Sequence, residues 1–382
     1  MLGTPVFSEH TMSVFGPPRA DSEEEKGVYV GGPFATAATT LLLASAAIKG
    51  SVLPHKERPK AEYGGVAGDA PPPVPLDVTP SVPITATAPS MPQWAPPAAP
   101  TRATEGARVD FPKPSDEALR STTIPRILFM TSDFPKDKLP LKIVNIMEAV
   151  TIDNPEFEIL YFDAQQRRAF VSEMCQSWPS IIDIYDSLEP TAYQADLWRY
   201  LVLYKYGGVY MDVGMQPLRP LRKMLKDSDD FVSVEDDGQG ILNSFIATRA
   251  KDKVLGMAII NVAESVYNHD YGVNALDITG PLTLKRAFNE VRNVDRRIPL
   301  GEYESQGIHY NFLKHMPDRE DMENGAYIGD AKGNLLFKRK FDGYYKQMYG
   351  DRNIQRYDEL YDRRKVYRDM VFRNTAGNIV SS

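Results

Sequence analysis

A chain of 382 residues is long enough for one large domain or two ordinary ones, and a net charge of −7 without any Lys/Arg-rich tract argues against nucleic acid as the main partner. The single cysteine, Cys175, excludes an internal disulfide and a cysteine-based metal cluster. The five histidines (His10, His55, His269, His309, His315) are scattered, with no HExxH and no close pair, so no zinc motif is present.

Residues 1–27 form a polar tail with an acidic knot at Asp21–Glu25. Val28–Ile48 follows, 21 residues without a charge, which is just the length of a membrane anchor. It is rich in Ala, Thr and Gly, and only Leu41–Leu43 is strongly apolar. Basic residues flank it on both sides, so the charge rule gives no cytoplasmic N-terminus. An anchor and a disordered or cleaved leader fit equally. Residues 49–118 read as a disordered stem, because 15 of the chain's 30 prolines fall between Pro54 and Pro114 and no apolar periodicity offsets the entropy of ordering.

A folded domain is expected over 119–345. Ile124–Thr131 reads as a strand entered after a proline, and Leu139–Thr151 as a helix with Ile143, Ile146, Met147 and Val150 on one face. Glu156–Phe162 alternates like a second strand, and Ala164–Met174 and Ser180–Leu188 are helical in pattern. This alternation predicts an α/β domain with a largely parallel sheet, whose ligands bind outside the carboxyl ends of the strands.

EPTAYQADLWRYLVLYKYGG carries the most information. Thr191 and Gln194 have capping-box spacing, which predicts a helix from Ala192, and Gly207 stands where a helix-ending glycine belongs. Leu197, Tyr200, Leu201 and Tyr204 form its apolar stripe. Asp196 and Arg199 share a face beside that stripe. They read either as a local ion pair or as a sugar contact, the carboxylate accepting from hydroxyls and the guanidinium donating to oxygens. Val209–Met211 then forms a short strand that places Asp212 at its carboxyl end. Asp212 suits a divalent-cation or ribose contact as well as it suits an Asp-Val-Gly turn. Phe231–Gly240 runs a strand into Glu235, Asp236 and Asp237, which read as a solvated acidic turn or as further metal ligands.

Taken together, Ala195, Asp196, Arg199, Tyr200, Leu203, Tyr206, Gly207, Gly208, Tyr210 and Asp212 resemble the signature of the DXD-containing sugar transferases related to the fungal Golgi initiating mannosyltransferase. Ile124–Thr131 resembles that family's opening strand, with Phe129 and Met130 in place of its His-Gln. Gly240–Leu255 and Thr279–Leu284 resemble its later Asn-x-Phe-x-Ala and Thr-Gly-Pro segments. The resemblance implies a GT-A fold and retaining transfer of a hexose or N-acetylhexosamine from a UDP- or GDP-linked sugar to a glycan acceptor. It implies Asp196, Arg199 and Asp212 as the catalytic set, with Thr131, Tyr210, Asn243, Gly280 and Pro281 at the donor. Thr279 fits a helix cap as well as the sugar pocket. The resemblance also implies Mn²⁺ or Mg²⁺ on Asp212, but the second carboxylate of the motif is Gly214 here. A carboxylate from elsewhere, such as Asp237, or a cation such as Arg199, Arg219 or Lys338, would have to make up for it. A non-catalytic relative that keeps the fold and has lost the metal site is the alternative. If Val28–Ile48 is an anchor, then anchor, stem and transferase compose a Golgi-like membrane enzyme.

Beyond this, His309, His315 and Asp318 read as surface loop or metal approach. Gly333–Gly350 reads as a hairpin or edge strand, and Tyr357–Met370 as a polar helix within a helical extension over 346–382. Their aromatic and basic residues suit sugar or nucleotide stacking, or a lid.

Overall fold

The computed structural model describes residues 109–368, apart from 121–122, 176–177, 179, 237, 294–296, 317–325, 342 and 351–355, together with 372–373 and 379–380. The tail, the segment Val28–Ile48, most of the Pro-rich stem, Asp237 and Asp318 lie outside the described residues. Among the described residues, no helix is long and apolar enough to cross a membrane.

Strand β1 (Ile127–Thr131) is buried on both faces. Its residues alternate between two cores, with Ile127 and Phe129 in one and Leu128 and Met130 in the other. It pairs in parallel with β2 (Glu158–Phe162) and β3 (Gly208–Met211). Helix α1 (Leu141–Asp153) joins β1 to β2 and buries the four apolar residues expected from its spacing. Helix α2 (Ala164–Met174) starts with a capping box, the Asp163 carboxylate accepting from the Gln166 amide and the Gln166 side chain accepting from the Asp163 amide. Helix α3 (Ile181–Ser187) then leads into α4 (Thr191–Tyr206).

Helix α4 is buried nearly all round, not on one stripe. Trp198 packs on Phe162 and Tyr206 stacks on Phe129. The capping box expected at Thr191 and Gln194 does not form. Pro190 is the cap; the Thr191 hydroxyl donates to Asp133 at 2.7 Å, and the Gln194 amide donates to the Leu188 carbonyl. Tertiary partners outcompete the local motif.

After β4 (Gln216–Pro217) come β5 (Phe231–Asp236) and β6 (Gly240–Thr248), then α5 (Lys253–Tyr267) and α6 (Pro281–Arg292). Strands β7 (Gly301–Ser305), β8 (Ile308–Met316), β9 (Tyr327–Gly329) and β10 (Leu335–Lys338) complete the sheet, in the order β2-β1-β3-β6-β5-β8-β9-β10-β4 with β7 on β8. The α/β class is as expected. Parallel order holds across β2-β1-β3 and between β5 and β8, and antiparallel pairs join the rest, so the sheet is mixed. Helices α2 to α6 cover one face, and α1 with the C-terminal turn covers the other.

The C-terminal region differs in detail from the expectation. β10 is a strand between β9 and β4, followed by a π-helical turn at Lys346–Gly350 and a short helix, α7 (Tyr357–Asp362), instead of one reaching Met370. A two-stranded pair, β11 (Phe372–Arg373) and β12 (Ile379–Val380), follows. Packing extends past residues 119 and 345: Phe111 sits against Phe162 and Phe170, and Met348, Leu360 and Val366 are buried in the two cores.

Candidate active site

The turn from α4 into β3 needs both of its glycines. Gly207 and Gly208 have φ of 69° and 101°, and a Cβ at either would lie within 3 Å of backbone. Closing the turn this tightly runs β3 beside β1 and brings Asp212 to the carboxyl edge of the sheet, next to the middle of α4.

There Asp196 and Arg199 pair at 2.9 Å, both nearly buried. Arg199 also donates to the Asn243 carbonyl at 2.6 Å, lies 3.5 Å from Asp212, and stacks on the Tyr210 ring. The Tyr210 hydroxyl donates to Asp212 at 2.7 Å. The other Asp196 oxygen accepts from Thr279 at 2.9 Å. Thr279 is therefore a ligand of Asp196; the cap of α6 is Gly280, with Pro281 first in the helix. A Cβ on Gly280 would lie 3.1 Å from the Leu276 carbonyl oxygen, so the glycine lets this loop pack closely beside Asp196. Tyr200 ties this loop to β6, donating to the Thr279 carbonyl and accepting from the Asn243 amide.

Asp196, Arg199, Tyr210, Asp212, Asn243 and Gly280 line a cavity of about 400 Å³, within the range of small-molecule sites. All eight residues expected at the site outside the metal question, Thr131, Asp196, Arg199, Tyr210, Asp212, Asn243, Gly280 and Pro281, line it together. The Thr131 hydroxyl is already engaged, donating to the Phe162 carbonyl and accepting from Arg167. Arg219 and Lys338 do not line the cavity; Arg339, Lys340 and Arg356 do. His309 is half-exposed near Glu304, and His315 is held between Asp236 and Arg339.

Two groups of lining residues escaped the sequence reading. Asp133, just past β1, holds the buried Arg167 at 2.6 Å and Thr191 at 2.7 Å. Its position at a strand's carboxyl end was the available signal. The second group is Tyr344, Tyr345 and Tyr349 with Arg339 and Lys340, whose density of rings and charges was visible but whose place was not.

Among the described residues, the site lacks the second carboxylate of the DXD motif, and Asp237 lies outside them. A Cβ built at Gly214 would lie 2.4 Å from Cε2 of Tyr344, so that ring stands where the second carboxylate would project. The one aspartate left, Asp212, already accepts from Tyr210 and faces Arg199. Among the described residues, no group of three or more His, Cys, Asp or Glu could hold a metal.

Burial outweighs its partners Arg199, Thr279 and Asn243 and, with Asp212 nearby, pushes the Asp196 carboxyl up from 3.8 to about 6. Burial works against the charge of Arg199 too, but Tyr210, Asp196 and Asp212 more than offset it, so the guanidinium stays protonated. The native Asp196 thus binds its proton more tightly than the unfolded chain does. Stability falls as pH rises from about 4 to about 6, and the loss is complete above that. Two pKa units correspond to about 3 kcal/mol. In urea unfolding, the stability of the wild type minus that of Asp196→Asn is expected to drop by about this much between pH 4 and pH 7; a difference independent of pH would refute the assignment.

An α/β domain thus presents a buried carboxylate–guanidinium pair and a strand-end aspartate to one ligand-sized cavity, an arrangement compatible with a sugar-binding site. Residues 140–232 match the family described as the glycosyltransferase sugar-binding region containing DXD motif, in line with the resemblance read from the sequence. Inositol phosphoceramide mannosyltransferase 3 of Schizosaccharomyces pombe is 26% identical over 46% of this chain and 48% of its own. Inositol phosphoceramide mannosyltransferase 1 of the same organism is 24% identical over 50% and 60%. The putative glycosyltransferase HOC1 of Saccharomyces cerevisiae is 28% identical over 37% and 36%. The chain thus spans about half the length of these relatives. The solved PaToxG glycosyltransferase is similar at a TM-score of 0.33 and 12% identity, over 44% of this chain and 69% of its own, too distant to inform the site.

Proposed function

We propose that the protein transfers a hexose or N-acetylhexosamine from a UDP- or GDP-linked sugar to a glycan or glycoconjugate acceptor, with retention of configuration. The observation that carries this reading is the Asp196–Arg199 pair, buried at 2.9 Å yet lining the cavity beside Asp212. A buried ion pair is weak evidence for stability alone, and one that opens onto a ligand-sized cavity has a use there. In this reading Asp196 accepts from donor-sugar hydroxyls, Arg199 orients it and offers N–H groups, and Asp212 with Tyr210 meets the ribose. Retention is the stereochemistry that the family resemblance implies. The names of the two Schizosaccharomyces pombe relatives favour mannose among hexoses. Membrane placement in a Golgi-like compartment rests on Val28–Ile48 as an anchor before a Pro-rich stem.

The test uses the full chain with a panel of UDP- and GDP-sugars, following release of free nucleoside diphosphate and label transfer to glycan acceptors. One donor is expected to turn over, and Asp196→Asn to reduce turnover about 10²- to 10³-fold while the fold persists. Unchanged turnover in that variant would sink the site assignment. The Tyr344 ring over Gly214 favours a second reading, a nucleotide-sugar-binding relative without transfer, which predicts binding but no release in every variant.

A further inference from the structure

At Gly214 the motif's second carboxylate is missing and its space is filled, which leaves the question of what faces a donor's diphosphate. Tyr344, the residue that fills it, belongs to a segment that also brings Arg339 and Lys340 to the cavity, with Arg356 at its rim. Lys340 Nζ lies 5.4 Å from the Tyr344 ring, whose edge abuts Gly214, two residues from Asp212. We propose that Arg339 and Lys340 bind the diphosphate of the nucleotide sugar directly, so that donor binding needs no divalent cation. This rests on the nucleotide-sugar reading of the site.

The other cations at the cavity wall are committed: Arg167 to Asp133, Arg199 to Asp196 and Asp212, and Arg356 to Asp358. Among the described residues, neither Arg339 nor Lys340 is paired with a carboxylate. Both are nevertheless held in place. A guanidinium can only donate, so its 2.9 Å contact makes His315 Nε2 an acceptor. His315 Nδ1 then carries the proton and donates to Asp236 at 2.6 Å. Asp236 at the end of β5, His315 on β8 and Arg339 just past β10 form a chain that holds a fork of donors at the cavity wall. Lys340 is fixed by the Tyr345 hydroxyl and lies 4.0 Å above the Tyr345 ring. A fork and a point charge side by side suit two linked phosphates, since charge-assisted hydrogen bonds to phosphate are among the strongest available. A metal in the same place would lack its second carboxylate and face an uncompensated ammonium and guanidinium.

Isothermal titration of the full chain with UDP and with GDP, each in EDTA and in Mn²⁺, tests this. One nucleotide is expected to bind with the same Kd, within about threefold, in both buffers. Arg339→Met and Lys340→Met are each expected to raise that Kd about tenfold or more, as loss of a charge-assisted contact should. Neither variant should change the affinity for the matching nucleoside, uridine or guanosine, which lacks phosphates and reports an intact pocket. Binding that appears only with Mn²⁺, or wild-type Kd values in both variants, would overturn the proposal and leave the transferase reading standing. No binding of UDP or GDP in either buffer would overturn both.

Discussion

Arg199→Met is expected to lower stability by about 3–5 kcal/mol, because it leaves Asp196 buried without its partner. For a domain of this size that is a fall in Tm on the order of 10 °C. The two halves of the pair are not equivalent. Asp196, left alone, can take up a proton, and burial already holds its pKa up at about 6. Arg199, left alone, cannot shed its charge, but Asp212 at 3.5 Å and the Asn243 carbonyl at 2.6 Å remain to it. Three outcomes follow for a double-mutant cycle in urea. Asp196→Asn should be the milder single change. The pair Asp196→Asn/Arg199→Met should lose less than the two singles added together, with a coupling of about 1–3 kcal/mol. The loss in Arg199→Met should also grow with pH, since removing the guanidinium raises the native carboxyl still further above its unfolded value, and the burden of the buried charge is felt only once it ionises. Strict additivity at pH 8 would mean that solvent, not Arg199, compensates Asp196.

How much of this was legible beforehand depended on whether a feature is local. β1 to α3 could be read because each is a short periodic run between breakers, and the buried residues of α1 were those its spacing gave. Asp196, Arg199, Tyr210 and Asp212 were legible because one helix, one tight turn and one strand place all four within 17 residues. The capping box at Thr191 was misread because its hydroxyl is claimed by Asp133, 58 positions away in sequence. Asp133 itself and the Arg339–Lys340 pair were missed for the same reason. Nothing near residue 340 says that its strand ends beside Gly214, which only the pairing of β10 with β4 and β9 determines. Thr279 could be read two ways until Asp196 was seen to take its hydroxyl at 2.9 Å. Gly214 was legible as a missing carboxylate, but the ring that takes its place was not.

That ring makes a sharp prediction about Gly214. The backbone at Gly214 is not in the left-handed region, so any residue is conformationally acceptable there; the obstacle is Tyr344, with ring atoms 2.4, 2.8 and 3.2 Å from a built Cβ. The ring is buried against Phe341, Tyr345 and Tyr349 and has nowhere to swing. Since the clash begins at Cβ, Gly214→Ala is expected to be nearly as harmful as Gly214→Asp, at about 3 kcal/mol of overpacking. Tyr344→Ala alone should lose about 3–5 kcal/mol of buried aromatic packing. Combining Gly214→Ala with Tyr344→Ala should be less destabilising than the sum, because the second change removes the clash. Gly214→Asp/Tyr344→Ala goes further, setting a second carboxylate two residues from Asp212 with space to turn toward it. Two carboxylates are enough to recruit Mn²⁺ or Mg²⁺ alongside phosphate. Thermal scans with UDP or GDP present, with and without Mn²⁺, are therefore expected to show a metal-dependent rise in Tm in that double variant and none in the wild type. If Gly214→Ala kept wild-type stability, the ring would not be fixed over position 214, and the physical case against a metal in the native site would fall with it.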